Sequence, residues 1–322
     1  MTKPSPEPDV TVLLTTWNTR EMTLEAIRSV EKKTEGITYE VIVVDDASDD
    51  GTAEALRLEF PHVRVIVSPH NLGFVRANNL GASSARGRHL FLLNTDTLLV
   101  NNAIAVLSRY LDEHPDVGAC GGMLLNRDMT PQVSYGNEPS LPQAAVDAFF
   151  LNDLLPNAGF PQRGIVPRFP CAGTIDVDYI TGADLMIQRS IVDSIGLFDE
   201  LFREYCEETD LCRRVRTVAG KRVVFVPDAS VMHFGGMSYG QLGEAQIRKH
   251  YLSYAKYLTK HHGSFYSFCT RLLYAWHYSV KMVVRYLSAL AAAGSTRKQK
   301  YLMAKRAWYI VRYSLAPRSD PA

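Results

Sequence analysis

The first hundred residues constrain the fold most, because they hold four unbroken runs of aliphatic and β-branched residues. These are VTVLLTT (10–16), YEVIVVDD (39–46), VRVIVS (63–68) and RHLFLLNTD (88–96). Runs without polar alternation are expected of strands buried on both faces. Helical patterns separate them, at 19–33, 52–60 and 74–85. Such repetition predicts an α/β chain with a mostly parallel sheet in a three-layer sandwich. Ligands of these sheets bind outside the carboxyl ends of the strands. Polar residues stand there: TTWN after the first run, Asp45 and Asp46 after the second, and Asn94, Thr95 and Asp96 after the fourth. Any one cluster also fits helix capping, as Ser48, Asp49 and Thr52 illustrate. Three at one edge predict a site. Asp96 is the most demanding, since a carboxylate set between apolar stretches has to be paired, bound to a metal, or strained.

Beyond Asn101 the pattern predicts a helix to about His114 and a strand at VGACGGMLL. Residues 137–170 hold several prolines and no sustained period, which predicts an irregular loop or lid. IDVDYITGADLMIQRSIVDSIG then reads as a strand and a short helix, REYCEETDLCRRVRTVAG as an acid-rich helix, and KRVVFVP as a strand before the turn VMHFGGMS. No GxGxxG follows the first strand and no GxxxxGK[ST] occurs, so the dinucleotide and P-loop fingerprints are excluded. Five scattered cysteines without a CxxC pair predict reduced thiols. Residues 1–9 are polar and proline-rich, and read as a short flexible tail without the apolar core of a signal peptide. No uncharged apolar run reaches the ~20 residues that span a bilayer.

In their order, VTVLLTTWNTREMTLEAIRSV, VIVVDDASDDGTAE, NLGFVRANNLGA, LFLLNTDTLL, ITGADLMIQRSIVDSIGLFDELFREYCEETDLC and VMHFGGMS resemble the family-2 glycosyltransferases of the GT-A fold. The resemblance covers about residues 10–238 and is nearest to the bacterial rhamnosyltransferase-like branch. It implies a UDP- or dTDP-sugar donor and transfer with inversion. Asp45 and Asp46 would accept hydrogen bonds from the pyrimidine imide and the ribose, a role suited to groups that only accept. Thr15 and Trp17 would flank the base, and Asn18, Asn71, Asn94 and Thr95 fall among the donor-binding positions. Gly73 would let backbone approach the donor, with Arg76 near a phosphate oxygen. Asp96 matches the last position of the family's metal motif, and His233 of HFGG a position where the family often has a metal-ligating histidine. Mg²⁺ takes one or two carboxylates with phosphates and water, and an imidazole favours Mn²⁺. The alternative reading of His233 is a partly buried histidine hydrogen-bonded at a turn. In EETD the family usually has Glu-Asp with the second residue as base. This chain has Glu208 there, with Glu207 and Asp210 as further candidates. On a helix Glu207 and Asp210 share a face that Arg213 and Arg214 can pair with. Asp184 of TGAD matches a position near the donor or acceptor sugar.

Charge divides the chain unevenly. Formal net charge is +1, yet the segment from Gln241 onward carries +12 and the rest −11. The basic segment therefore suits an anionic surface. In residues 265–290, Arg271, Lys281, Arg285, His277, Tyr274, Tyr278, Ser267 and Ser288 share an arc of roughly 120°, and nearly all else is apolar. The pattern reads as a helix lying in a membrane interface, or else as one packed with its basic face in water. Its wide apolar face argues against nucleic acid as partner. The expected division is thus a tail (1–9), a GT-A catalytic domain (10–238) and a basic amphipathic helical region (239–322). The expected protein is an inverting enzyme, peripheral at the cytoplasmic face of a bacterial plasma membrane. It would glycosylate a lipid-linked acceptor, with rhamnose as the sugar on resemblance alone and a homodimer left open. The alternative is a noncatalytic sugar-nucleotide or glycan-binding subunit.

Overall fold

The computed structural model describes residues 7–155, 158–168, 170–171, 173–235 and 243–315. Residues 1–6 of the expected tail, the end of the HFGGMS turn and the expected boundary near 238 lie outside them. Two compact units emerge. The first is drawn from Met1–Asn137, Gly164–Arg203 and Glu207–Gly236, the second from Glu138–Arg163, Glu204–Cys206 and Met237–Ala322.

In the first unit, strands β1 (Val10–Thr16), β2 (Tyr39–Asp45), β3 (Arg64–Val67) and β4 (His89–Leu93) pair in parallel in the order β3-β2-β1-β4. Helices α1 (Arg20–Lys33), α2 (Thr52–Glu59) and α3 (Phe74–Ala82) join them. The apolar runs are these strands because each is covered on both faces; Val12, Leu13 and Leu14 are fully buried. α1 buries Thr23, Leu24, Ala26, Ile27 and Val30, the spacing of one helix face. α3 lies so close to the sheet that a Cβ on Gly81 would come within 2.3 Å of the Leu13 side chain, which fixes glycine there.

Beyond β4 the sheet is mixed, a departure from the expected parallel pattern. Among the described residues it continues β4-β10-β6-β11-β5, nine strands in all with β8 paired to β11. These are β5 (Thr97–Leu99), β6 (Val117–Leu125), β8 (Ile175–Asp176), β10 (Asp184–Gln188) and β11 (Arg222–His233), while β7 (Tyr135–Gly136) and β9 (Tyr179–Ile180) form a separate ribbon. β10 enters antiparallel to both β4 and β6. α4 (Ala103–Glu113), α7 (Arg189–Ile195) and α8 (Glu207–Thr217) complete the unit.

The second unit is helical, with α9 (Glu244–His262), α10 (Ser264–Leu290) and α11 (Gly294–Leu315). Part of the stretch expected to be irregular contributes α5 (Leu141–Ala148) and α6 (Leu151–Leu154). α5 forms because Ser140 accepts the Gln143 N–H at 3.3 Å and Pro142 sits in the first turn, where no intrahelical donor is needed. The polar arc of α10 is turned inward rather than to water: Ser267, Tyr274 and His277 are buried. No described helix is long and apolar enough to cross a membrane, and all five cysteines are free.

Candidate active site

Parallel pairing brings the ends of β1 and β2 to one sheet edge, with Thr16 beside Asp45. The loops there are laced together. Asn18, in the left-handed region at φ 53°, donates its N–H to Ser48 Oγ and accepts the Asp49 N–H, each at 2.9 Å. Ser48 in turn donates its N–H to Asp45 at 2.9 Å. Asp46 accepts the N–H groups of Leu72 and Gly73 at 2.7 and 2.9 Å, which ties the loop after β3 to β2. Both aspartates are almost fully buried, at 1% and 4% exposure. Each carboxylate oxygen can accept more than one hydrogen bond, so these contacts do not exhaust them. Asn71 is exposed, and Gly73 has φ 82° at the start of α3. Thr15 accepts from Asn78 Nδ2 at 3.3 Å, Thr95 lies 3.4 Å from Thr19 Oγ1, and Trp17 is 58% exposed. Arg76 is engaged with Glu200 at 2.8 Å, both side chains being more than half exposed.

Asp96 sits in a break rather than at a strand end. β4 stops at Leu93, and the chain crosses through Asn94, Thr95 and Asp96 to β5. The Asn94 N–H donates to Ala183 O at 3.1 Å, and Thr97 Oγ1 donates back to Asn94 O at 2.6 Å. β5 then pairs antiparallel with the end of β11, in the register Thr97 opposite His233. The Phe234 N–H to Asp96 O bond at 2.8 Å extends that register. Asp96 and His233 thereby meet, with Oδ1 and Nε2 3.4 Å apart.

The state of the imidazole follows from Gln132. Its amide nitrogen donates to Asn126 Oδ1 and His233 O at 2.8 and 2.7 Å, so its oxygen faces His233 Nδ1, 3.1 Å away, and Nδ1 must donate. In a neutral ring Nε2 then offers a lone pair toward a carboxylate oxygen. That arrangement needs a proton or a cation between the two, and orientation of a ligating histidine by a hydrogen bond on its other nitrogen is what metal sites require. Gly235 closes the third side: a Cβ there would stand 2.2 Å from Asp96 Oδ2 and 2.9 Å from His233 Nε2. Burial raises the Asp96 pKa, but His233 and the N–H groups of Asp96 and Gly235 more than offset it and hold the carboxyl below its ordinary value. The described residues hold no cluster of three or more metal-ligating side chains. One carboxylate and one imidazole suit a divalent cation completed by phosphate and water, Mg²⁺ by its carboxylate, Mn²⁺ by the added nitrogen.

The acids of α8 separate by environment. Asp210 is fully buried and bonded to Arg214 at 2.7 Å, whose guanidinium also donates to Ile195, Gly196 and Leu197 carbonyls. This pair clamps α8 to the end of α7. Glu207 is 7% exposed. Glu208 is half-buried, accepts from Thr209 Oγ1 at 3.3 Å, and lies against Gly182. Asp184 stands apart. It is fully buried in β10, accepts the Gly122 N–H at 2.8 Å, and burial drives its pKa well above the carboxylate range, which favours the neutral acid. Gln132 and Gly235 are functional positions that the sequence reading does not mark. The second lies within the HFGG motif, whereas nothing local marks a glutamine 101 residues before its histidine.

The chain is similar to known proteins in sequence and in fold. Residues 11–167 match the Glycosyl transferase family 2 model. Over 237 residues the chain is 27% identical to an N-acetylglucosaminyl-diphospho-decaprenol L-rhamnosyltransferase of Mycobacterium tuberculosis, covering 69% of this chain and 75% of that protein. Over 157 residues it is 31% identical to the succinoglycan biosynthesis protein ExoO of Rhizobium meliloti, covering 46% and 43%. Among solved structures it resembles the mannosyltransferase PcManGT from Pyrobaculum calidifontis, in complex with GDP-Man and Mn²⁺, at TM-score 0.60 and 15% identity over 98% of this chain and 89% of that one. GalNAc-T7 with UDP, GalNAc and Mn²⁺ is similar at TM-score 0.56 and 16% identity, over 79% and 48%. By fold, motif order and sequence relationship, residues 11–167 are a family-2 glycosyltransferase domain in a chain of the GT-A fold, rhamnosyltransferase-like.

Proposed function

We propose that this glycosyltransferase transfers a sugar, with inversion, from a UDP- or dTDP-sugar to a lipid-linked glycan acceptor in bacterial cell-surface polysaccharide synthesis. The named rhamnosyltransferase relative supports rhamnose as the sugar and a lipid diphosphate as the acceptor class. The observation that carries the reading is the Asp96–His233 pair, set 3.4 Å apart and closed by Gly235. These two residues would hold Mn²⁺ or Mg²⁺, which when bound supplies positive charge to the departing diphosphate. Asp45 and Asp46 accept from the pyrimidine and ribose while holding the loops that shape the pocket, and Trp17 offers a face to the base. Glu208 takes the proton of the acceptor hydroxyl as its oxygen attacks the anomeric carbon. Asp210 keeps α8 in place through Arg214, and Glu207 is the secondary candidate for the base. Arg76 can reach a phosphate only by leaving Glu200, an exposed pair that costs little to break. The enzyme works as a peripheral protein at the cytoplasmic membrane face, where nucleotide sugars and lipid-linked acceptors meet.

Thermal melting against UDP, dTDP and GDP, each with and without Mn²⁺, tests the donor site. Manganese-dependent stabilisation by UDP or dTDP is expected. Indifference to every nucleotide would favour a glycan-binding subunit instead.

A further inference from the structure

Helix α10 is built inside out. Its exposed positions include Phe265, Phe268, Leu272, Trp276, Val283, Leu287 and Leu290, a stripe at three-, four- and seven-residue steps, and none of the exposed positions of the helix carries a charge. Phe265 is 81% exposed and Trp276 59%. The stripe runs for about 38 Å at 1.5 Å per residue. The cations of the same helix turn away from it. Arg271 donates to the carbonyls of Ser314 and Leu315 at 2.8 and 3.3 Å, at the end of α11, and Arg285 to Met303 O at 3.3 Å. Lys300 of α11 answers by donating to Ser288 O at 3.3 Å, near the end of α10. Each helix thus has its unsatisfied terminal carbonyls closed by a cation of the other, an arrangement that needs the polar arc of α10 inside.

A surface helix in water normally shows the opposite orientation. The exposed side of α11 adds Arg297, Lys298 and Lys305, together with Trp308, and residues 264–315 contain no acid. A second copy of this face would bring cations against cations with no carboxylate to answer them. Nucleic acid would answer the cations but not an apolar stripe. An anionic bilayer offers both an apolar interior and negative headgroups, with indole rings favoured at the boundary.

We propose that the outer face of α10, flanked by the exposed cations of α11, is a docking surface for an anionic lipid bilayer, with α10 lying flat in the headgroup boundary. This deepens the peripheral location proposed above and rests on that reading for its purpose, though its test does not. The full chain is floated with vesicles of phosphatidylcholine alone and of phosphatidylcholine mixed equally with phosphatidylglycerol, without donor or acceptor. Wild type should float with the anionic vesicles and far less with the neutral ones. Trp276→Ser combined with Leu287→Ser should lower partitioning at least about tenfold, and Lys305→Gln about fivefold. Both variants should melt as wild type does and keep manganese-dependent donor hydrolysis in vesicle-free buffer. Unchanged flotation of the double variant, or no flotation of wild type, would overturn the assignment. So would self-association in vesicle-free sedimentation that the double variant abolishes, which would make a second copy the occupant. Loss of nucleotide binding alone would strike the catalytic reading and leave this one standing.

Discussion

In the sheet unit the apolar side chains are enclosed and Asp45, Asp46 and Asp96 stand at one edge, whereas in α10 of the helical unit most polar side chains are turned inward and the apolar ones face out. Both draw on the same rule, that most polar groups leave water with a partner. The sheet unit meets it with Asp210 on Arg214 and Asp46 on two backbone N–H groups. The helical unit meets it by aiming guanidinium and ammonium groups at helix-end carbonyls. What differs is the medium for which the remaining surface is suited. A hydrophobic stripe on a helix therefore does not say by itself which side is the core.

The comparison can be pressed where the sheet unit is proposed to do chemistry. Asp96→Ala should abolish transfer, by about a thousandfold or more, with little change in melting. Glu208→Gln should do the same while preserving nucleotide-induced stabilisation, and turnover retained by that variant would remove Glu208 as the base. Next in size, Arg214→Ala removes the guanidinium partner, at 2.7 Å, of buried Asp210, and should lower unfolding free energy by about 3–5 kcal/mol in denaturant titration. Gly235→Ala and Gln132→Leu act on the cation pair from outside it. Each should weaken manganese-dependent nucleotide binding about 10–100-fold by calorimetry. If both bind as wild type does, the pair is a hydrogen-bonded turn and nothing more.

Acid should separate the units differently. Burial, aided by Lys281, pulls the His277 pKa down to about 4, and burial with Arg163 nearby drives His250 well below its usual value. Both belong to the helical unit. The unfolded chain takes up these protons near pH ~6.5 and the folded chain does not. Stability is thus complete above about pH 6.5 and falls as pH drops toward about 4. The melting temperature should fall about 5 °C or more across that window, and His277→Gln should flatten the slope. Smallest of all, Trp276→Ser should move the melting temperature by less than about 2 °C, because that side chain faces out.

The strands were legible because enclosed strands need continuous apolar runs, and α8 because its acids and bases fall at helix spacing. The reversal of β10 was not, since its direction depends on pairing with residues far off in the chain. Asp96 could be recognised as costly, yet its neighbour was set by a strand register that no local pattern encodes. Arg76 and Glu200 are 124 residues apart, so the ion pair was equally hidden. The segment 137–170 misled because its prolines suggested irregularity, while Pro142 stands where a helix tolerates it. In α10 the helical wheel locates a polar arc, but it carries no information about which arc the neighbouring helices cover.

Asp96 and His233 lie 137 residues apart and meet where Thr97, the first residue of the three-residue β5, pairs with His233, the last of β11. That contact has a long loop to close, so it should form once most of the sheet is assembled. A cation there would then bind the finished fold and ignore earlier states. Adding Mn²⁺ with nucleotide should slow unfolding while leaving the refolding rate nearly untouched, so the ligand acts as a latch on the native sheet rather than a seed for it.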